Sequence, residues 1–471
     1  MKRDKYTLTL AGRLEDMKAR ENYPLDDIGK GRLFAELFKD RHRYNATAGE
    51  WGFFDGLAWK ADAHGLKAEK DAQVLADALL KYAADTKPEG QKDDYLAAAY
   101  KLTGTHERKK MLLDARSIYP IAEEQLDTNS DYFNCRNGVF DLKHMKLINH
   151  SPEQMISKIS NVEYEPGANC PKWEKFLNEI MQGDQQKIGF LQRACGYALL
   201  GDPVEDCMFI LYGATTRNGK STFVNTIGGL FGDYAGNVQP ETLAFRKKDS
   251  RTASGDIARL KGMRFVSTSE PPKNMMLDSQ LLKQLTGRDK MTARRLRESE
   301  FEFVPAFAIF MNTNHLPDVR DDTVFSSGRL HVISFNRHFE AAEQDKSLPE
   351  KLKAEGSGIF NWMLSGLQSY RKNGLLVPES VRDETLKYQQ GQDIIGQFLE
   401  DRFHRAPGCN VPVSKAYSLY TIWGADNGIS TEASRAFKKE LEKRHVLASS
   451  GTVKGKTVRN VLKGFAINRN E

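Results

Sequence analysis

A glycine-rich run that ends in Gly-Lys-Ser-Thr constrains the fold of this chain more than any other feature. Residues 212–222 read Tyr-Gly-Ala-Thr-Thr-Arg-Asn-Gly-Lys-Ser-Thr, and they follow a short apolar run at 208–212. A buried strand, a glycine-rich turn and the first turn of a helix together form a cradle whose backbone amides bind phosphate. The run therefore predicts a phosphate-binding loop between a strand and a helix.

The residue types in this loop match the chemistry of a nucleotide site. Lys220 is suited to neutralise the β- and γ-phosphates, and the Ser221 hydroxyl is suited to bind Mg²⁺. The loop is one residue longer than the usual motif, because five residues separate its first glycine from the second. ATP and Mg²⁺ are the expected cofactors. The expected nucleotide contacts are Gly213, Thr215, Thr216, Arg217, Asn218, Gly219, Lys220, Ser221 and Thr222.

Short apolar runs alternate with turns and predicted helices between residues 207 and 339. After the run at 208–212 come runs at 263–267, 306–311 and 331–335. Runs this short and this apolar are typical of parallel strands that helices cover on both faces. The expected fold class is therefore α/β, with a P-loop core.

Polar side chains follow two of these predicted strands. Glu270 ends one run, just before two prolines that stop the strand, and a carboxylate there can hold Mg²⁺ through water or activate the attacking water. Asn314 follows the run at 306–311 and could orient a water against the γ-phosphate. Asn312 is the alternative to Asn314, and a plain Asn/Pro turn is the alternative to both.

Composition limits the remaining possibilities. A chain of 471 residues is too long for one ordinary core, so several domains are expected. No apolar run approaches the length that crosses a bilayer, and the first residues lack the apolar stretch of a secretory signal. Five widely spaced cysteines predict neither a disulfide nor a zinc site. A cytoplasmic location is therefore expected.

The positive charge of the chain is concentrated at its end. Residues 412–471 contain 11 Lys and Arg against 5 Asp and Glu, whereas the rest of the chain is balanced. Such a segment suits contact with a phosphate backbone, although solvated lysines on a helix face are the common alternative.

The periodicity of the chain suggests five segments. Residues 1–118 read as helices around one hairpin that turns at Asp55-Gly56, and residues 119–203 as a helical linker or collar. Residues 204–340 form the expected P-loop core and 341–390 a helical segment. Residues 391–471 show three helices and two strand-like runs, which favours a winged helix.

Taken together, these motifs resemble the superfamily 3 helicases, specifically the primase-helicase family of phages and plasmids, over about residues 120–470. The resemblance rests on the Asn-Gly-Lys-Ser-Thr loop, on residues 265–270, on 282–287 with 291–294, on 313–317 and on 327–335. It implies an AAA+ core that assembles as a ring, usually a hexamer, around DNA. It also implies ATP-dependent unwinding, commonly from 3′ to 5′.

The resemblance also implies roles for single residues. Lys220 and Ser221 correspond to the Walker A pair, Glu270 to the Walker B acid and Asn314 to the sensor. Arg329 corresponds to the arginine finger that one subunit supplies to its neighbour. Members of the family often have two adjacent arginines at that point, whereas this chain has a glycine before Arg329. Arg320 is the alternative finger.

Residues 290–304 read as a hairpin with a basic first arm. In the family such a hairpin projects into the channel of the ring and contacts the DNA backbone. The expected DNA contacts are Lys290, Arg294, Arg295 and Arg297. Cross-strand pairing with Glu298, Glu300 and Glu302 is the alternative.

The basic tail is similar to the terminal winged helix of the same family. Its candidate contacts with a duplex are Lys438, Lys439, Lys443, Arg444, Lys454 and Lys456. Docking of another protein is the alternative for such a module.

The leading hypothesis is a replicative DNA helicase of a phage or other mobile element, acting in the cytoplasm of a bacterial host. Its expected partners are a single strand in the channel, a forked duplex, further copies of itself and other replication proteins. One alternative is an initiator or helicase loader that uses ATP as a switch. Primer synthesis is disfavoured, because the chain lacks an Asp-x-Asp pair of metal-binding acids. A small-molecule kinase would need neither the basic hairpin nor an arginine finger.

Overall fold

The computed structural model describes residues 2–87, 93–202, 204–245, 255–294, 300–429 and 431–468, with only the backbone for residues 2–6. The strands within these ranges are β1 His42–Asn45, β2 Glu50–Phe54, β3 Trp59–Asp62, β4 Tyr132–Cys135, β5 Gly138–Asp141, β6 Lys146–Ile148, β7 Met208–Tyr212, β8 Ala235–Val238, β9 Phe265–Thr268, β10 Met291–Arg294, β11 Glu300–Phe303, β12 Ala308–Thr313, β13 Leu330–Ser334, β14 Phe403–Pro412, β15 Leu447–Val453 and β16 Lys456–Ile467.

The α-helices in the same ranges vary from a single turn to about five turns. They are α1 Lys2–Asp16, α2 Ala19–Asn22, α3 Asp27–Phe38, α4 Leu66–Asp85, α5 Asp94–Lys101, α6 Thr105–Ala115, α7 Pro171–Ile180, α8 Gln185–Ala198, α9 Lys220–Phe231, α10 Pro240–Leu243, α11 Gly255–Ala258, α12 Ser279–Thr286, α13 Thr323–Ser326, α14 Leu348–Lys353, α15 Gly356–Asn373, α16 Glu379–Gln392, α17 Ile394–Arg402, α18 Val413–Asp426 and α19 Ser434–Lys443.

A five-stranded sheet forms the centre of the molecule. Its strand order is β13, β7, β12, β9, β8, and every neighbouring pair is parallel. The α/β expectation is confirmed, and four of the five strands coincide with the predicted apolar runs. The fifth strand, β8, was not predicted, because its sequence Ala-Gly-Asn-Val is short and only partly buried at the edge of the sheet.

The two faces of this sheet pack differently. One face carries a row of stacked rings, in which Phe310 lies between Phe209 and Phe265 with ring centroids 4.8 Å away on either side. The opposite face carries aliphatic side chains such as Ile210 and Ile309, which are also buried. Each such side chain contributes about 1.5–3 kcal/mol on burial, so the sheet is a rigid platform for the loops at its edges.

The N-terminal part consists of helices α1 to α6 around the antiparallel sheet β1–β2–β3. The predicted hairpin is present as β2 and β3, joined by a turn at residues 55–58. This part contacts the rest of the chain through hydrogen bonds: Trp59 Nε1 donates to the carbonyl of Pro152 at 2.8 Å, and Lys60 Nζ donates to Asp233 at 2.9 Å. The N-terminal part therefore docks on the segment before the central sheet and on the turn between α9 and β8.

Residues 119–203, which the sequence predicted to be a helical linker or collar, contain strands as well as helices. They contain the antiparallel sheet β4–β5–β6 before helices α7 and α8. A tight turn at Arg136 and Asn137 joins β4 to β5, with Cys135 opposite Gly138. The flanking runs are only three or four residues long, too short to stand out as strands by alternation alone.

The C-terminal part follows the order α17, β14, α18, α19, β15, β16. Its three strands are antiparallel, with β16 between β14 and β15, whereas the sequence had indicated only two strands. Its core is aromatic: the ring of Tyr420 lies 5.2 Å from Phe398 and 4.9 Å from Phe437. Nowhere in the described ranges is a helix both long enough and apolar enough to cross a bilayer.

Candidate nucleotide-binding site

The phosphate loop lies between β7 and α9, as the sequence predicted, and its two glycines are required by close packing. A Cβ on Gly213 would lie 2.2 Å from Nδ2 of Asn218, inside contact distance. Gly219 has φ +86°, which favours glycine, and a Cβ there would lie 2.5 Å from Cγ2 of Ile180. The loop therefore sits against α7 with no room for side chains at these positions.

Lys220 begins helix α9 and is buried within the loop. Its Nζ donates to the carbonyl of Gly213 at 3.2 Å and to Oδ1 of Asn314 at 2.6 Å. Burial lowers the pKa of Lys220 to about 8, while the nearby Glu270 carboxylate acts in the opposite direction. An anion bound in the loop would stabilise the charged ammonium, so this side chain is suited to phosphate.

Strand β12 and the bend that follows it bring two asparagines to the loop, because β12 lies between β7 and β9. Asn312 Nδ2 donates to Oγ of Ser221 at 3.0 Å, while Asn314 contacts Lys220. Asn312 lies within β12, whereas Asn314 lies in the bend just beyond its end, and both amides reach the loop. The sequence offers Asn312 and Asn314 as alternatives for one role. In the structure Asn312 contacts Ser221 and Asn314 contacts Lys220.

Glu270 lies two residues beyond the end of β9 and is exposed. Because β7, β12 and β9 are parallel, the residues after β9 and the loop after β7 lie at the same, carboxyl-terminal end of the strands. The Ser221 hydroxyl and the Glu270 carboxylate are oxygen groups of the kind that Mg²⁺ prefers, and both are open to solvent. These two residues fit the magnesium role that the sequence suggested for them.

The remaining loop residues form the outer rim of the site. Thr215, Thr216 and Arg217 are exposed, whereas Asn218 is buried and its Nδ2 donates to the carbonyl of Thr215 at 2.6 Å. The segment that follows β13 folds back over this rim, with Phe339 N donating to the carbonyl of Arg217 at 2.9 Å. Sequence reasoning did not foresee this segment, because it lies more than 100 residues from the loop.

A cavity of about 560 Å³ opens beside the loop. This volume suits a nucleoside, since ligand sites typically measure about 300–1,000 Å³. Its lining includes Thr222 from α9, Phe176 and Lys175 from α7, and Phe339, Leu348 and Pro349 from the segment after β13.

Arg329 lies at the amino-terminal end of the central strands, whereas the phosphate loop lies at their carboxyl-terminal end. Its carbonyl accepts from Met208 N at the start of β7, whereas the loop follows the end of β7. Its guanidinium donates to Oγ1 of Thr286 at 2.7 Å and to Asp206 at 3.0 Å. Arg329 is therefore remote from the phosphate loop of its own chain.

The backbone conformation at residue 328, just before Arg329, favours glycine. Gly328 has φ +71°, a region where an arginine would be strained. Arg320, the alternative finger, is exposed on the loop that follows β12.

The predicted basic hairpin is present as β10 and β11. Met291 and Ala293 face inward, while Thr292 and Arg294 are exposed. Arg294 stands opposite Glu300 in the register, and Lys290 pairs with Glu302 at 3.5 Å. Both members of that pair are mostly exposed, so it is a weak interaction that leaves Lys290 accessible to an anion. Arg295 and Arg297 lie outside the described residues.

The basic tail divides into paired and exposed cations. Arg444 forms an ion pair with Asp393 and contacts Glu440 at 3.5 Å, and Lys443 contacts Glu440 at 2.8 Å. In contrast, Lys439, Lys454 and Lys456 are exposed. Two of the six candidate contacts are thus engaged within the C-terminal part itself.

Comparison with known protein families finds two models that match this chain. The model described as D5 N terminal like matches residues 31–182, and a model for a family of unknown function matches residues 211–329. The first match runs from within α3 to just beyond α7, and the second covers the loop, β9, β12 and Arg329.

Similar proteins occur in several viruses and a virophage. A protein named "Putative helicase" from Acanthamoeba polyphaga mimivirus is 28% identical over 64% of this chain and 34% of its own length. A protein of the same description from Sputnik virophage is 28% identical over 39% of this chain and 26% of its own length. One named "Putative primase" from African swine fever virus is 22% identical over 68% of this chain and 36% of its own length.

This chain spans about a third of the length of the curated relatives it matches. Among solved structures, the apo C-terminal region of NrS-1 superposes with a TM-score of 0.53 at 12% identity, over 93% of this chain and 99% of that one. That similarity concerns the fold alone. Together with the family models, the viral relatives support a relation to the D5-like primase-helicases.

Proposed function

We propose that this protein is an ATP-hydrolysing DNA helicase of a virus or other mobile element, built on an AAA+ core of the superfamily 3 type. The observation that carries the proposal is the joint placement of Lys220, Ser221, Asn312 and Asn314 at the carboxyl-terminal end of the strands, the end at which β9 leads into Glu270. A phosphate-binding loop alone would suit many proteins. A loop with two sensor amides and an acid beside it suits hydrolysis of the terminal phosphate.

In the proposed reaction each side chain has a defined task. Lys220 neutralises the β- and γ-phosphates, and Glu270 orients and deprotonates the attacking water. Asn314, which contacts Lys220 at 2.6 Å, exchanges that contact for one to the γ-phosphate or to the water. Mg²⁺, held by Ser221 and by Glu270 through water, would supply charge stabilisation on the phosphate oxygens.

We further propose that Arg329 acts on the nucleotide of a neighbouring subunit. Its remote position in its own chain supports this, because an arginine at the far edge of the sheet cannot reach its own loop. A head-to-tail arrangement that closes on itself makes a ring, and a hexamer is the state implied by the resemblance. The proposed motor therefore requires assembly for hydrolysis.

The C-terminal part is proposed to be a winged helix. The order helix, strand, two helices and two strands, with the last strand in the middle of the sheet, supports this assignment. Its exposed lysines at α19 and at the β15–β16 turn are the proposed contacts with a forked duplex. Replication proteins of the host cytoplasm are further proposed partners.

The β10–β11 hairpin is proposed to contact single-stranded DNA, and its charge allows a direct test. We expect the double variant Lys290→Ala, Arg294→Ala to bind an oligonucleotide more weakly at low salt. The slope of log affinity against log salt should become shallower by about 0.7 for each phosphate contact that is lost. Fluorescence anisotropy in a salt series measures both effects.

The matched control for the hairpin is Lys143→Ala with Lys146→Ala, which removes two exposed cations near β6. This control is expected to keep the slope of the wild type. A hairpin variant whose slope equals that of the control would contradict the assignment of DNA contact to β10.

A further inference from the structure

Three consecutive carbonyl groups of the phosphate loop accept hydrogen bonds, and two of the donors belong to the segment after β13. Asn218 Nδ2 donates to the carbonyl of Thr215 at 2.6 Å, and Phe339 N donates to that of Arg217 at 2.9 Å. Between them, Nδ1 of His338 lies 2.8 Å from the carbonyl of Thr216. A carbonyl oxygen only accepts, so His338 is the donor through Nδ1–H.

These bonds matter because a loop that binds phosphate must direct its amides toward the anion and its carbonyls away from it. A carbonyl that turned inward would repel the phosphate oxygens. The loop also contains Arg217 at φ +56°, in the left-handed region that a non-glycine residue adopts only with support from its surroundings. Donors outside the loop supply that support.

The segment that carries His338 is itself firmly held. Phe335 N donates to the carbonyl of Tyr212 at 2.7 Å, where β7 ends. Arg337 Nη1 donates to the carbonyl of His338 at 2.6 Å, and its guanidinium lies 4.9 Å from the centre of the Phe339 ring. The segment is therefore held by contacts before and after His338. The hydrogen bond from His338 restrains the position of the Thr216 carbonyl in the loop.

We propose that His338 is a positioning residue of the nucleotide site. Its imidazole holds the Thr216 carbonyl away from the phosphates, so that the loop is shaped for the anion before the anion binds. The proposal rests on the nucleotide-binding function proposed above, and it assigns His338 no contact with the nucleotide. Because the bond is the same with substrate and transition state, its loss should weaken binding more than turnover.

The test compares His338→Ala with His338→Asn in the full chain. The amide Nδ2 of asparagine can donate from nearly the same place as Nδ1 of histidine, whereas alanine donates nothing. We expect the alanine variant to raise the dissociation constant and the KM for Mg·ATP by roughly 3- to 10-fold, the effect of one hydrogen bond. The kcat should remain within about 2-fold of the wild type, and asparagine should restore most of the affinity.

The matched control is His144→Ala, which removes a histidine whose Nδ1 pairs with Asp141 at 2.8 Å outside the site. Thermal unfolding without nucleotide separates a folding defect from a binding defect. Because the His338 side chain is 38% exposed, the midpoint of unfolding should change little in His338→Ala. An alanine variant that binds Mg·ATP as the wild type does would overturn the role of His338 alone. An asparagine variant no better than alanine would also overturn it. If the wild-type protein bound Mg·ATP no better than the Lys220→Ala variant does, both this proposal and the proposed function would be overturned.

Discussion

Replacement of Lys220 by alanine is expected to reduce ATP hydrolysis by roughly 10²- to 10³-fold, the typical cost of losing one charge-stabilising group in an active site. The ammonium is buried between the Gly213 carbonyl and Asn314, and no other lysine shares these contacts in the described ranges. Steady-state hydrolysis with saturating DNA measures the turnover, and equilibrium titration with Mg·ATP measures the binding. Both the turnover and the affinity for Mg·ATP should fall, because the lysine acts on the phosphates in the ground state and in the transition state.

The control for Lys220 is Lys353→Ala, which removes an exposed lysine at the end of α14. It should leave hydrolysis unchanged. Hydrolysis that survives in Lys220→Ala at the level of the control would mean that the loop is not the hydrolytic site.

Replacement of Arg329 by alanine is expected to reduce DNA-stimulated ATP hydrolysis by about 10³-fold or more, as loss of an arginine finger does. Binding of Mg·ATP should persist, because Arg329 lies at the far edge of the sheet from its own loop. Arg320→Ala, which alters the alternative arginine, should retain hydrolysis. Loss of hydrolysis in Arg320→Ala, with hydrolysis retained in Arg329→Ala, would assign the finger to Arg320.

A mixing experiment separates a finger in trans from a structural arginine. Arg329 also donates to Thr286 and Asp206, so its loss could act through the fold alone. A Lys220→Ala subunit keeps Arg329, and an Arg329→Ala subunit keeps Lys220, so one mixed interface contains both. Mixing the two inactive variants should therefore restore part of the hydrolysis. No recovery in a verified mixed assembly would contradict the role in trans.

Much of the central sheet could be predicted because its signals are local. A glycine-rich run after an apolar run identifies the loop, and apolar runs buried on both faces identify their strands without any long-range knowledge. Strand β8 could not be predicted, because an edge strand that contains a glycine and an asparagine is not an apolar run. Strands β4 to β6 escaped for a similar reason, since each is short.

The partners of the site residues could be predicted less well than their identities. Asn312 and Asn314 were recognised as candidates, but only the strand order shows that β12 runs beside the loop and that both amides reach it. His338 was missed altogether, because its role depends on a segment that folds back over a loop distant in sequence. The basic tail shows the same limit: a count of charges does not reveal that Arg444 is paired with Asp393.

The most direct test of the central claim is ATP-dependent strand displacement on a forked DNA, measured for the wild type beside Lys220→Ala and Lys353→Ala. The proposed helicase should separate the strands only with Mg·ATP, and the displacement should be lost in Lys220→Ala and kept in Lys353→Ala. Hydrolysis of ATP by the wild type without any displacement of strands would contradict the helicase and favour a loader or initiator that uses ATP as a switch.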